Sequence, residues 1–385
     1  MPASLLKAAS WTLGAGTLAG IAYTAFAIAR VRAFRKNRTI GRAQTMPPIT
    51  VLKPLYGNEP HLFENLSSFC DQDYPQYQLI FGAVDPRDPA LGVARAVKDR
   101  FPHCDIEVVA GNGKPAANPK VGNLLGLIDR ARHPIVVIAD SDIRVGPDYL
   151  RAVAGCFADP HTGAATCAYG GIAGGTFASR LGAMYVNDQF TPSVMVASAL
   201  EPLTYCFGAT IALRADVLAR IGGLHAVADR LADDYLLGKL ASAAGYRVAL
   251  VPCAVQTTVA DETLAALWRH ELRWARAVLG QRAAGYAGSI VTYVLPFAVA
   301  FAAVARSPLS YAALSVGVAL RVWLHLEGRA TFAPQNSATP WFIPLRDFFS
   351  VAVWTASFFG KRVLWKSDAY HVSAGGRMAV GPKEM

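Results

Sequence analysis

Charge is scarce in this chain of 385 residues: 17% are Asp, Glu, Lys or Arg, while 53% are apolar. A water-soluble domain carries about a quarter charged residues. An ordinary cytosolic enzyme is therefore excluded, and the mean hydropathy is positive. The same apolar content excludes a disordered chain, which requires low hydrophobicity and high charge. Cysteine is also sparse. The six thiols (Cys70, Cys104, Cys156, Cys167, Cys206 and Cys253) form no CxxC pair and repeat no spacing. That pattern excludes a zinc ribbon and gives no sign of a disulfide scaffold, so buried thiols in a reducing compartment are expected. Internal repeats and low-complexity tracts are lacking too. Length allows one large or two modest domains with ample core material.

Acidic residues are missing from one stretch in particular. Residues 30–42 hold Arg30, Arg32, Arg35, Lys36, Arg38 and Arg42 with no acid, and the tail from 360 carries Lys361, Arg362, Lys366, Arg377 and Lys383 against two acids. With Lys7 these account for the whole net charge of +10. A nucleic-acid binder would spread cations over a folded face. Here they flank apolar runs, which reads as membrane topology and attraction to anionic headgroups, with no nucleic-acid partner. Leu5 to Ile28 is long enough to span a bilayer, and the cations after it predict a retained anchor with residue 43 onward in the cytoplasm. Apolar segments return at Ala287–Ala305, Pro308–Leu326 and Trp341–Gly360, the second carrying Arg321 and His325 and the third Arg346 and Asp347. Two late crossings plus one interfacial or re-entrant segment return the basic tail to the cytoplasm, and that parity is expected.

Between these ends, short β-rich runs alternate with helical stretches. Ile49–Leu52, Leu79–Val84, Ile106–Ala110 and Ile135–Ala139 read as buried strands, with helices near Leu91–Arg100 and Val121–Ala131. Such alternation predicts an α/β fold with a mixed, largely parallel sheet, whose ligands bind at strand carboxyl ends. Asp85 and Asp140 sit at such ends.

Five clusters carry possible chemistry. Asp140-Ser141-Asp142 can share a hard divalent cation, Mg²⁺ or Mn²⁺, or cap the following helix. Asp233-Asp234 opens a helical stretch, where one carboxylate can cap and two suggest a base. Arg269, Arg273 and Arg276 fall on one face of the stretch WRHELRWAR; they suit a diphosphate leaving group or lipid headgroups. Lys120, in Asn118-Pro119-Lys120, starts a probable helix, where backbone N–H groups favour anions or a plain turn leaves the lysine in water. Lys53, in KPLYG, ends the first strand and could line a nucleotide pocket.

Taken in order, Asp85, Asp140-x-Asp142, Asp233-Asp234 and xxRW ahead of membrane segments resemble membrane-bound nucleotide-sugar glycosyltransferases of the GT-A fold. KPLYG, DPRDPA, NPKVGN and DSDIRV are similar to the ceramide glucosyltransferase family, glycosyltransferase family 21. FGAVDPRDPA, FGATIALRADVL, LADDYLLG and LWRHELRWAR resemble its bacterial hopanoid-biosynthesis branch. His270 at the first motif position and Thr191-Pro192 depart from the ceramide pattern.

The resemblance implies an N-terminal anchor (1–30), a cytoplasmic catalytic domain (43–260), an amphipathic interfacial helix (261–285), membrane segments (286–362) and a basic cytoplasmic tail (363–385), in a bacterial inner membrane. It implies a divalent metal, a UDP-sugar donor and a hopanoid or ceramide acceptor. Lys53, Asp85 and Lys120 would hold the donor, and Asp140 and Asp142 the metal and diphosphate. Asp234 would be the general base, with Asp233 its rival. Arg273 and Trp274, with His270, Arg269 and Arg276, would serve the diphosphate and the acceptor edge. The reaction implied is inverting transfer of N-acetylglucosamine from UDP-N-acetylglucosamine to a bacteriohopanetetrol hydroxyl. The other readings are glucosylation of ceramide, transfer to a polyprenyl phosphate, a processive polysaccharide synthase, and a catalytically silent binding protein that keeps the fold.

Overall fold

The computed structural model describes residues 3–38, 46–337, 339–360, 362–365, 368–372 and 376–380. Arg42 and most of the basic tail, including Lys361, Lys366 and Lys383, lie outside the described residues. The chain begins with helix α1 (Ala3–Lys36), then runs through β1 (Ile49–Pro54), β2 (Tyr77–Ala83), β3 (Asp105–Ala110), α2 (Pro119–Leu127), β4 (Ile135–Ile138), β5 (Ile143–Arg144) and β6 (Thr162–Ala173). It continues through α3 (Phe177–Tyr185), α4 (Thr191–Leu200), β7 (Ile211–Arg214), α5 (Asp233–Ala243), β8 (Arg247–Val259) and α6 (Leu264–Gln281). The helices α7 (Val294–Ala305), α8 (Pro308–Phe332) and α9 (Ile343–Ser357) follow. Two compact units result. One gathers Met1–Lys36, Gly171–Leu200 and Asp261–Ala369, the other Asn37–Gly170, Glu201–Ala260 and Tyr370–Met385.

The sheet unit is ordered β3-β2-β1-β4-β7-β6-β8-β5. Its first four strands are parallel, with Val51 of β1 level with Leu79 of β2 and Val137 of β4. Helices cover both faces of these strands, which explains why ITVL, LIFGA and IVVI read as unbroken apolar runs rather than alternating ones. Beyond β4 the direction changes: β7 runs antiparallel to β4, pairing Ile138 with Ile211, and to β6. The residues that leave β4 therefore lie beside those that enter β7. That reversal brings the segment around Asp140 to the segment around Gly208.

Among the described residues, the helical unit holds two helices long and apolar enough to cross a membrane, Ser4–Lys36 and Pro308–Phe332. A third span is present if Ala283–Thr292 and Val294–Ala305, bent by 57°, count as one. The carboxyl ends of α1 and α8 meet, since Arg32 and Arg35 pair with Glu327 at 3.4 and 3.0 Å and Phe34 packs on Phe332. α1 and α8 thus run the same way, and the bent pair between them supplies the return. The apolar segments expected at Ala287–Ala305 and Pro308–Leu326 fall on this pair and on α8. The segment expected at Trp341–Gly360 is helical over only 15 residues in α9, where Arg346 and Asp347 are fully buried.

The buried charges of α8 and α9 have partners. Arg321 grips Asp347 through two bonds of 2.9 and 2.7 Å, and Arg346 grips Glu271 of α6 through two of 2.7 Å. Planar guanidinium and carboxylate forks match, which lets both charges leave water. Ser350 links the two pairs, donating to Gln189 at 2.6 Å, while Gln189 donates to Asp347 at 3.1 Å.

Candidate active site

In the sheet unit, four loops at the carboxyl edge of the parallel strands converge on Lys120. Its position follows from local chemistry. Asn118 caps α2, its side-chain oxygen accepting from the N–H groups of Lys120 and Val121, and Pro119 supplies a pre-set first helical turn. The same amide donates to the Arg230 carbonyl and to Asp233, tying the start of α2 to the start of α5. The Lys120 ammonium then lies 2.6 Å from Asp140 and 3.5 Å from Asp233. Burial alone would drive this ammonium toward neutrality, but Asp140, Asp233 and Asp234 outweigh it and hold the lysine well above its ordinary value.

The two adjacent aspartates differ. Asp233 is 5% exposed and turned toward Asn118 and Lys120. Asp234 is half-buried; one of its oxygens accepts the Tyr235 N–H at 2.7 Å and the other lies toward Gly208. Burial and the neighbouring Asp233 carboxylate, against the pull of Lys120, push Asp234 up to about 6. A carboxylate poised there is a proton acceptor at neutral pH.

Gly208 was not singled out in the sequence. A methyl group there would stand 3.0 Å from Asp140 Oδ2, 3.5 Å from Asp234 Oδ2 and 3.7 Å from Lys120 Nζ. The missing side chain thus leaves a space walled by all three of these side chains. Only the antiparallel pairing of β7 with β4 puts it there, and no local sequence pattern marks such a contact.

Lys53 is held from within the chain. Its ammonium is fully buried, lies 3.8 Å from the Phe69 ring centre, and donates to the carbonyls of Asp140 at 2.8 Å and Ile143 at 3.3 Å. Burial lowers it to about 7 against the opposing pull of Asp142 and Asp140. It holds the Asp140–Asp142 loop in shape, its closest acceptors being two main-chain carbonyls. Asp142 accepts a hydrogen bond from Thr257, and burial and Asp140 raise its carboxyl above the usual range. Asp85, at the end of β2, is exposed and accepts the Arg87 N–H at 2.8 Å, which holds its carboxyl below the usual range.

The expected metal site is only partly provided by protein. Among the described residues no three His, Cys, Asp or Glu side chains cluster to hold an ion. The donor set still suits Mg²⁺ or Mn²⁺, which use one or two carboxylates and complete their shell with water and substrate phosphate. Asp140 and Asp142 are the carboxylates expected for that role. With Asp233 and Asp234 nearby, acids outnumber lysines at this edge, which favours a cation there.

The xxRW residues belong to the helical unit. Thr263 caps α6 by accepting the Ala266 N–H. His270 Nδ1 is 3.0 Å from Asp261, and its ring sits 4.1 Å from that of Trp274, which stacks on Tyr185. Arg269 is exposed and Arg273 half-buried, while Arg276 donates to the Phe359 carbonyl. Glu271, between them, faces Arg346. α6 thus presents a cationic side and anchors the other through one buried acid.

The family model described as "Glycosyl transferase family 21" matches residues 12–378. Ceramide glucosyltransferase 1 of Caenorhabditis elegans is 22% identical over 372 residues, covering 90% of this chain and 76% of its own. An N-acetylglucosaminyltransferase of Rhizobium meliloti is 25% identical over 250 residues, covering 60% and 56%. Among solved structures, a mannosyltransferase from Pyrobaculum calidifontis, in complex with GDP-Man and Mn²⁺, superposes with a TM-score of 0.56 at 19% identity. It covers 92% of this chain and 99% of its own, which gives the GT-A-like glycosyltransferase fold.

Proposed function

The chain belongs to glycosyl transferase family 21, and from that premise we propose that it transfers a sugar from a UDP-sugar donor to a hydroxyl of a membrane lipid, inverting the anomeric centre. The observation that carries this reading is the space beside Gly208, where Asp234, Asp140 and Lys120 face one another. One base and one cation-binding edge are what a single displacement requires. The acceptor oxygen attacks the anomeric carbon as its proton passes to Asp234. The bond to the diphosphate breaks with both electrons leaving on UDP. Asp140 and Asp142 are the residues that would hold Mg²⁺ or Mn²⁺, which when bound neutralises charge on the departing diphosphate. Lys120 keeps Asp140 oriented, and Lys53 keeps its loop in place. By resemblance, Asp85 serves the uridine end, and Arg273 and Trp274, with His270, Arg269 and Arg276, serve the diphosphate and acceptor edge. Asp234 is the base rather than Asp233, because Asp233 is turned toward Asn118 and Lys120.

For the acceptor and sugar, the bacterial motif set supports N-acetylglucosamine and a hopanoid polyol, bacteriohopanetetrol. The second reading, glucose to ceramide, is supported by the ceramide glucosyltransferase relative. The cations after α1 support a multi-pass protein of the bacterial inner membrane with its sheet unit in the cytoplasm. The test is a matrix on purified membranes: UDP-N-acetylglucosamine or UDP-glucose with bacteriohopanetetrol or ceramide, products read by mass spectrometry. An N-acetylglucosaminyl hopanoid that disappears in Asp234→Asn is expected. A hexosyl ceramide would overturn the acceptor, and unchanged turnover in Asp234→Asn would overturn the base.

A further inference from the structure

Arg346 of α9 is fully buried, and every N–H of its guanidinium meets an acceptor. Nη1 and Nη2 donate to the two oxygens of Glu271 at 2.7 Å each. Nη1 also donates to the Leu181 carbonyl of α3 at 3.3 Å, while Nε and Nη2 donate to Ser350 at 3.1 and 2.8 Å. The guanidinium carbon lies 5.5 Å from the Tyr185 ring centre and 4.8 Å from that of Phe349. Both rings lead to α6. Tyr185 stacks on Trp274 with centroids 6.0 Å apart, and Phe349 meets Trp268 edge-on at 5.6 Å. One side chain of α9 therefore reaches α6 at three levels, directly at Glu271 and through one ring each at Trp268 and Trp274.

The inward face of α6 carries Leu267, Glu271 and Ala275, spaced four residues apart. Glu271 is the sole acid of the helix. Replacing a buried ion pair by apolar residues of similar size is often neutral or stabilising, so net stability does not account for an acid on this face. Orientation does. Apolar contacts are non-directional, and a helix held by Leu267 and Ala275 alone could turn slightly about its axis at little cost. Two parallel N–H···O bonds do not permit that turn. They fix the rotation of α6 at Glu271, and the stack on Tyr185 fixes the ring of Trp274. The pair also settles charge. Glu271 stands two residues from both Arg269 and Arg273, and Arg346 neutralises it from the inner side, so it does not cancel their charge toward an anion.

We propose that Arg346 is a positioning residue for sugar transfer. It acts through Glu271 and Tyr185, setting the rotation of α6 and the orientation of Trp274, and so keeps Arg273 and Trp274 where the diphosphate and the acceptor edge meet them. Arg346 itself touches neither substrate, being enclosed by protein on every side. The proposal deepens the reading given above for Arg273 and Trp274 and rests on it.

The test uses the full chain in purified membranes, with the donor and acceptor that give product in the matrix above and with UDP as inhibitor. The double variant Arg346→Met with Glu271→Leu removes both charges together and refills their space, so it should melt close to wild type. In that folded protein the inhibition constant of UDP is expected to rise at least fivefold and kcat to fall at least tenfold. Loss of folded enzyme would lower kcat and leave the UDP constant untouched, so that constant separates positioning from mere support. Should the double variant fail to fold, Tyr185→Leu takes its place: it keeps every ion pair, removes the ring between Arg346 and Trp274, and should move both quantities the same way by at least threefold. Wild-type values of both quantities in the folded variant overturn the proposal. Trp274→Ala tells the two readings apart. Wild-type kinetics there refute the motif's part in the reaction and the proposal with it, while impaired kinetics there beside a fully active double variant refute positioning by Arg346 alone.

Discussion

Gly208→Ala places one methyl group where the functional groups converge, and its effect can be worked from distances. The new carbon would stand 3.0 Å from Asp140 Oδ2, tighter than ordinary contact, so the carboxylate must retreat by a few tenths of an ångström. Its other oxygen is held at 2.6 Å by Lys120, which must follow or release it. A misplacement of 1 Å at a reacting centre costs roughly 10²-fold in rate, so a shift of this size should lower kcat by about 3- to 10-fold. The backbone itself tolerates alanine, since Gly208 is not among the left-handed glycines. Stability should therefore barely change. The control is Gly155→Ala in an exposed helical position, where an added methyl meets nothing within 4 Å. Initial rates at saturating donor and acceptor in purified membranes, with melting of the solubilised protein alongside, decide the matter. Wild-type kcat in Gly208→Ala would refute the claim that this space is where the chemistry occurs.

Three further outcomes are expected. The base acts deprotonated and Asp234 sits at about 6, so kcat/KM should rise with pH and level off above about 6; a rate flat from pH 5 to 8 would remove Asp234 from the proton transfer. Chelation with EDTA should lower activity by about 10²-fold or more, with recovery in Mn²⁺ or Mg²⁺, and Asp142→Asn should lose that recovery while still folding. Arg346→Met leaves Glu271 buried without its partner, a loss of about 3–5 kcal/mol, and the double change Arg346→Met with Glu271→Leu should regain most of the lost melting temperature.

The parallel strands were legible because burial on both faces writes them as unbroken apolar runs, and Asp140, Asp142, Asp233 and Asp234 because acids at strand and helix ends stand out in a chain poor in charge. Gly208 was not legible: it matters only through the reversal at β7, and a glycine in a loop carries no mark of what it faces. The sequence context of Lys53 does not reveal that the Asp140 and Ile143 carbonyls, about 90 residues away, accept from its ammonium. Arg321, His325, Arg346 and Asp347 were visible as charges in apolar segments, which must find partners. Two of those partners, Asp188 and Glu271, lie 137 and 75 residues away, beyond any helical or strand periodicity.

The buried pair between α6 and α9 also sets an order of events during synthesis. Glu271 leaves the ribosome 75 residues before Arg346. At roughly 5–20 residues per second, about 4–15 s pass before its partner exists. An ionised acid does not leave water alone, so α6 cannot bury the face that bears Glu271 until α9 arrives, although β8, the last strand of the eight-stranded sheet, has by then been made. The helix that bears the family's arginine–tryptophan motif is thus among the last parts of the protein to reach its place. A nascent chain released before residue 346 would own a finished sheet with that helix still undocked.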